Sequence, residues 1–197
     1  MGNLESQSRH VIGPLIQDVS IQLDSQKQFT VAKWAIKTAM VGETISRSSR
    51  AYFYKREECS QLKESSQFPP YTQVWLGRYV GRHEVGFFGL DSWDKEPKDP
   101  TAVVHVYTST IVLGKLVIQV ITIHPPTERN KRPINVRRGR TGPWDHSLLR
   151  LLADGGETIL WPPALAFSDN GNLLLKTLVE RASGTIPTGP IPPSLAG

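Results

Sequence analysis

The chain has 197 residues, 39% of them hydrophobic and 21% charged, which is enough apolar material for one sizeable core and too much for a disordered polymer. No apolar run approaches the roughly 18 residues a membrane helix needs, residues 1–14 lack the hydrophobic stretch of a secretory leader, and a lone Cys59 permits neither an internal disulfide nor a thiolate metal cage, so the expected compartment is the cytoplasm. The net charge of +5 is concentrated: in residues 128–140, Arg129, Lys131, Arg132, Arg137, Arg138 and Arg140 stand against Glu128 alone, leaving the rest of the chain close to neutral.

Leu4, Val11 and Leu15 recur at roughly helical spacing, and Pro14 should end or kink the helix they begin. Asp24 and Ser25 then precede a longer helical pattern running to about Thr44. Val31, Trp34, Ala35, Thr38 and Val41 form its apolar stripe, Phe29, Ile36 and Met40 widen the buried arc, and Lys33 and Lys37 share the wet face. A short polar helix is predicted over residues 55–64, stopped before Phe68-Pro69-Pro70.

From Tyr71 the apolar period changes to two. Residues 73–80 read as a strand with Trp75, Gly77 and Tyr79 on one face and Val74 and Leu76 on the other. Gly81 and Arg82 turn into a second strand over residues 83–90, and the charged, proline-containing stretch 91–100 is expected to be an exposed loop. Residues 102–112 and 116–123 carry the strongest strand signals, joined at Leu113-Gly114-Lys115 as an antiparallel hairpin. The second of these is apolar on both faces, which points to a central position. Further on, residues 145–153 read as a short helix, 157–161 as a last strand, and 173–182 as a helix capped by Asn172 and stopped by Gly184. The sum is α+β: an antiparallel sheet of about four to six strands packed against a long N-terminal helix and a C-terminal helix. It forms one domain over residues 1–184, followed by a proline-rich disordered tail over 185–197.

Several short motifs occur in one order: Met1-Gly2-Asn3-Leu4-Glu5, Trp34-Ala35-Ile36-Lys37-Thr38-Ala39, Pro70 with Val74-Trp75-Leu76-Gly77, Leu113-Gly114-Lys115-Leu116 with Gln119-Val120, and Leu160-Trp161-Pro162-Pro163. Each is weak alone. The ordered set, covering the chain from Met1 to about Ala182, resembles the C-terminal region of uncharacterised bacterial HNH-endonuclease-type proteins. In those proteins an N-terminal module carries paired Cys-x-x-Cys zinc ligands and runs into a Cys-Asn-x-x-Trp-Met-x-x-Leu-Glu stretch. Met1 aligns with the Met of that stretch, so the resemblance implies a chain that begins where the nuclease module ends. No metal ligand or nuclease histidine of the family has a counterpart here. The resemblance thus implies a non-catalytic accessory region, or the C-terminal part of a longer metal-dependent endonuclease whose Cys-x-x-Cys pairs would lie upstream.

An HNH site requires a general-base His and a divalent metal held by nearby ligands. The five histidines, His10, His83, His105, His124 and His146, are isolated in sequence. His105 and His124 fall on the two hairpin strands, where one register sets them face to face, but strand histidines satisfied by neighbours are the commoner outcome. Asp145-His146 and His83-Glu84 are sequence neighbours, which point apart more often than they cooperate. Cys59 has Lys55, Arg56 and Lys63 nearby, cations that would depress its pKa, yet no His accompanies it and a surface thiol is the better reading. Trp34, Trp75, Tyr79, Trp93 and Trp161 read as core rather than as a stacking platform, and Lys37 as a side chain that carries its ammonium out to water. No catalytic residue, metal ligand or cofactor is expected. Arg129, Lys131, Arg132, Arg137, Arg138 and Arg140 remain as the candidate site, because guanidinium forks bind phosphate by charge and in pairs of hydrogen bonds. The expected partners are DNA or RNA through that segment, or else a second copy or a nuclease through a sheet edge or an exposed Trp, with no membrane.

Overall fold

A computed structural model describes residues 2–46, 52–82, 84–96, 99–124, 148–152 and 157–168. Its elements in chain order are α1 (Gly2–Ile16), β1 (Ile21–Leu23), α2 (Ser25–Ser46), α3 (Arg56–Glu64), β2 (Thr72–Tyr79), β3 (Val85–Glu96), β4 (Asp99–Leu113), β5 (Leu116–His124), β6 (Leu148–Arg150), β7 (Ile159–Trp161) and β8 (Ala166–Phe167). The α+β expectation holds. Helices lie on one face of a six-stranded sheet ordered β3-β4-β5-β2-β6, with β8 beside β2, and all pairings are antiparallel except β2 with β8. No helix among the described residues is long and apolar enough to cross a membrane.

Helix α1 buries Val11, Ile12 and Leu15 and closes two residues after Pro14, whose ring cannot donate to the ladder. The chain then reverses through Asp18 at φ 61°. The Asp18 carboxylate receives Arg78 Nε at 2.9 Å, which ties this reversal to β2. Strand β1 pairs with β7 in a separate two-stranded ribbon that buries Leu23 and Trp161.

Asp24 starts α2: its Oδ1 accepts the Lys27 backbone N–H at 2.8 Å, satisfying a donor that the helix itself leaves unmatched. The buried stripe of α2 is rotated from the one expected. It runs through Gln28, Val31, Ala32, Ala35, Ile36, Ala39, Met40 and Glu43, while Trp34 and Thr38 lie at its border and Val41 is 47% exposed. Two polar residues hold core positions because each has partners there. Gln28 Nε2 donates to the Leu23 and Glu157 carbonyls at 2.9 and 2.8 Å, and its Oε1 accepts the Leu152 N–H at 2.9 Å. Glycine at position 42 lets the Phe87 ring approach to a distance that any β-carbon would forbid.

Strand β5 is central, with every residue from Leu116 to Ile123 buried, as its two-sided apolar pattern predicts. Val74, Leu76, Ile111, Leu116, Ile118 and Val120 face the helices, and Tyr79, Val112, Val117, Leu148 and Phe167 form a smaller cluster on the opposite face. The β4–β5 hairpin turns through Gly114-Lys115, with Gly114 at φ 53° and so close to Ile16 that a β-carbon would lie 2.9 Å from the Ile16 carbonyl oxygen.

Two expectations are corrected. Residues 91–96 and 99–100 are strand rather than loop: β3 runs to Glu96 and β4 starts at Asp99, in register from Val85 opposite Leu113 to Lys95 opposite Val103, and residues 97–98 lie outside the described residues. The ladder to β4 keeps the backbone extended, and a charged sequence suits a strand at the sheet's edge. Residues 148–150 are likewise strand rather than helix, because Leu149 pairs with Leu76 and Leu148 drops into the cluster around Tyr79. The basic segment 128–140, the expected helix 173–182 and the tail 185–197 lie outside the described residues.

Candidate functional site

The hairpin turn determines what happens at its open end. With Leu113 opposite Leu116, counting back along both strands brings His105 opposite His124. Thus the two histidines do face each other. Phe53 covers the pair, its ring parallel to His124 at a 4.1 Å centroid distance and edge-on to His105 at 4.5 Å. Tyr54 and Tyr107 complete the aromatic group around Phe53.

Residues 53 and 54 are held in place by a buried carboxylate. Glu43 of α2 accepts the backbone N–H groups of Phe53 at 2.5 Å and Tyr54 at 3.2 Å. Tyr54 then reaches under the sheet, its hydroxyl 3.1 Å from Thr122 Oγ1, which in turn lies 3.0 Å from Thr72 Oγ1. Burial, more than any neighbouring charge, pushes the Tyr54 phenol far above its ordinary range, so it stays a neutral hydrogen-bonding group.

Glu58, on the first turn of α3, joins the helix to the strand end. Its Oε1 is 2.8 Å from His124 Nε2, and its Oε2 accepts the Lys55 N–H at 2.8 Å. Burial pulls the Glu58 carboxyl upward. The hydrogen bonds from His124 and the Lys55 backbone, with the charges of the same two residues, outweigh it and leave the pKa below the ordinary carboxylate value. The dyad therefore favours an ionised Glu58 that holds the His124 ring, and with it the last residue of β5.

Among the described residues no group of three His, Cys, Asp or Glu side chains converges with metal-binding geometry. Cys59 is exposed, and its thiol is pushed up by partial burial and by the acids Glu58 and Glu43, against the expectation that nearby lysines and arginine would lower it. Lys37 ion-pairs with Glu5 at the surface. Tyr79 and Trp161 are core, Trp34 and Trp75 are half-buried, and Arg150 lies over the Trp75 ring at 5.9 Å. The side chain of Trp93 and all of His83 and Asp145-His146 lie outside the described residues.

The six basic residues Arg129, Lys131, Arg132, Arg137, Arg138 and Arg140 also lie outside them, but the point from which that segment departs is well defined. The chain leaves β5 at His124 and is next described at Leu148 in β6. Sequence reasoning missed Glu43, Phe53, Tyr54 and Glu58. One signal was present: Glu43 continues the helical spacing of Ile36, Ala39 and Met40, and an acid in an apolar stripe calls for a buried partner. Compared with protein-family models, with curated proteins and with solved structures, the chain matches none.

Proposed function

We propose that the chain is a non-catalytic nucleic-acid-binding domain that works beside a nuclease of the HNH type and contacts the phosphate backbone through Arg129, Lys131, Arg132, Arg137, Arg138 and Arg140. The observation that carries this reading is the concentration of the chain's whole net charge into residues 128–140, starting four residues beyond a strand end that Glu58 and Phe53 hold in place. Binding by such a segment is electrostatic and indifferent to sequence, because each cation that meets a phosphate releases condensed counterions.

Fluorescence polarisation with labelled duplex DNA and single-stranded RNA, titrated over salt, tests it. If all six cations engage duplex phosphates, the plot of log K against log salt falls with a slope of about −5. Replacing Arg137, Arg138 and Arg140 by Ala should make that slope shallower by about 2.7. Absence of binding at about 50 mM salt, or an unchanged slope in the triple variant, refutes the reading. A second reading, an interaction module that uses a sheet edge, is favoured by one separate feature of β3.

A further inference from the structure

Strand β3 has a strand neighbour on one side only among the described residues, namely β4. On the other side no described strand pairs with its backbone N–H and C=O groups, an edge that proteins ordinarily guard with charge, proline or a bulge. Over residues 85–90 the sequence Val-Gly-Phe-Phe-Gly-Leu supplies none of these guards. Here Val85 is 76% exposed and, three residues on and on the opposite face of the strand, Phe88 is 57% exposed, large values for a valine and an aromatic. Phe87 points the other way and is spoken for, packed on Gly42 of α2. The charged half of the strand begins only at Asp91.

We propose that this edge is a homodimer seam in which residues 85–91 of two copies pair antiparallel about Phe88. The choice of occupant and register rests on self-complementarity. A two-fold axis perpendicular to the sheet, as a continuous antiparallel pairing requires, sets residues opposite one another in same-face pairs. Centred on Phe88, that axis puts Phe88 against its own copy, Gly86 against Leu90 and Phe87 against Gly89. Each glycine thus meets a bulky residue, and the two exposed phenyl rings cover one another.

Neighbouring registers are worse. Centring on Gly89 opposes Glu84 to Asp94, centring on Leu90 opposes Glu84 to Glu96, and centring on Phe87 sets Glu84 against Leu90. Only the Phe88 register avoids acid against acid and acid against an apolar residue at Glu84, which there meets Ser92. The paired ladder is about 23 Å long, at the small end of specific interfaces, so the dimer should be reversible.

Sedimentation velocity on the full chain, without nucleic acid, over about 1–200 µM tests the seam. The expected result is a concentration-dependent monomer–dimer equilibrium. Phe88→Lys places two ammonium groups on the axis and should weaken the dimer by about a hundredfold or more, while Val85→Glu, an acid facing Asp91, should weaken it by about tenfold. Both positions are exposed, and an unchanged thermal melt shows the monomer intact. A monomer at every concentration overturns the proposal, as does a dimer indifferent to Phe88→Lys.

Discussion

Glu58→Gln isolates the contribution of the link between α3 and the end of β5. The substitution keeps size and leaves an amide oxygen able to accept the Lys55 N–H, so what it removes is the charge that holds His124 at 2.8 Å. A hydrogen bond to an ionised group contributes about 1.5–3 kcal/mol and a neutral one about 0.5–1.5, so the expected loss at neutral pH is about 1.5 kcal/mol. The pH dependence gives a sharper check. Because the folded protein lowers the Glu58 pKa from its ordinary 4.5, the native state binds this proton less readily than the unfolded chain. The stabilisation is fully present above the unfolded value and disappears as pH falls through the lower folded value. Urea unfolding of both proteins should therefore show a gap at about pH 7 that narrows as pH falls below the ordinary 4.5 and closes once the pH has passed the lowered folded value. A gap below about 0.3 kcal/mol at neutral pH, or one that persists in acid, refutes the assignment of the charge to this link.

Gln28→Leu strands the buried carbonyl of Leu23 and the part-buried Glu157 carbonyl and Leu152 N–H, and should cost about 2 kcal/mol in the same unfolding assay. Cys59 should react with a disulfide reagent more slowly than a small free thiol at about pH 8, and faster in Glu58→Gln, since one of the acids that raise its pKa is then gone.

Much of the fold was legible because local pattern and tertiary environment agree. The two-sided apolar run of β5, the Gly114 turn and the Asp24 cap each carry their own physical signature, and the face-to-face histidines follow once the turn is placed between Leu113 and Leu116. The misreadings share a cause. The α2 stripe was displaced because Gln28 and Glu43 are polar by type yet satisfied by backbone groups far along the chain, from Phe53 to Glu157. The outer half of the β3–β4 hairpin and all of β6 were misread because strand pairing supplies their hydrogen bonds, and no window of sequence contains the partner strand. The linkage of Glu58 to His124 spans 66 positions and was invisible for the same reason.

The registers also bear on how the basic segment would work. Strands β5 and β6 lie on either side of β2 and run parallel to each other, and Leu148 stands level with Val117, since both pair with Gly77. The two ends that bracket residues 125–147 are therefore about 23 Å apart along the strands and about 10 Å across them, or about 25 Å in all. Twenty-three residues can span about 75 Å, so this connection is long for the gap it closes. Holding one end at His124 then restricts where the cations can reach without changing how many there are. Charge number sets the salt slope, and tether geometry sets only a salt-independent factor. Glu58→Gln should accordingly shift nucleic-acid affinity by one constant factor at every salt concentration, while neutralising Arg137, Arg138 and Arg140 changes the slope. If Glu58→Gln alters the slope as well, the strand end and the cations do not act as separate parts, and the division of labour proposed for them fails.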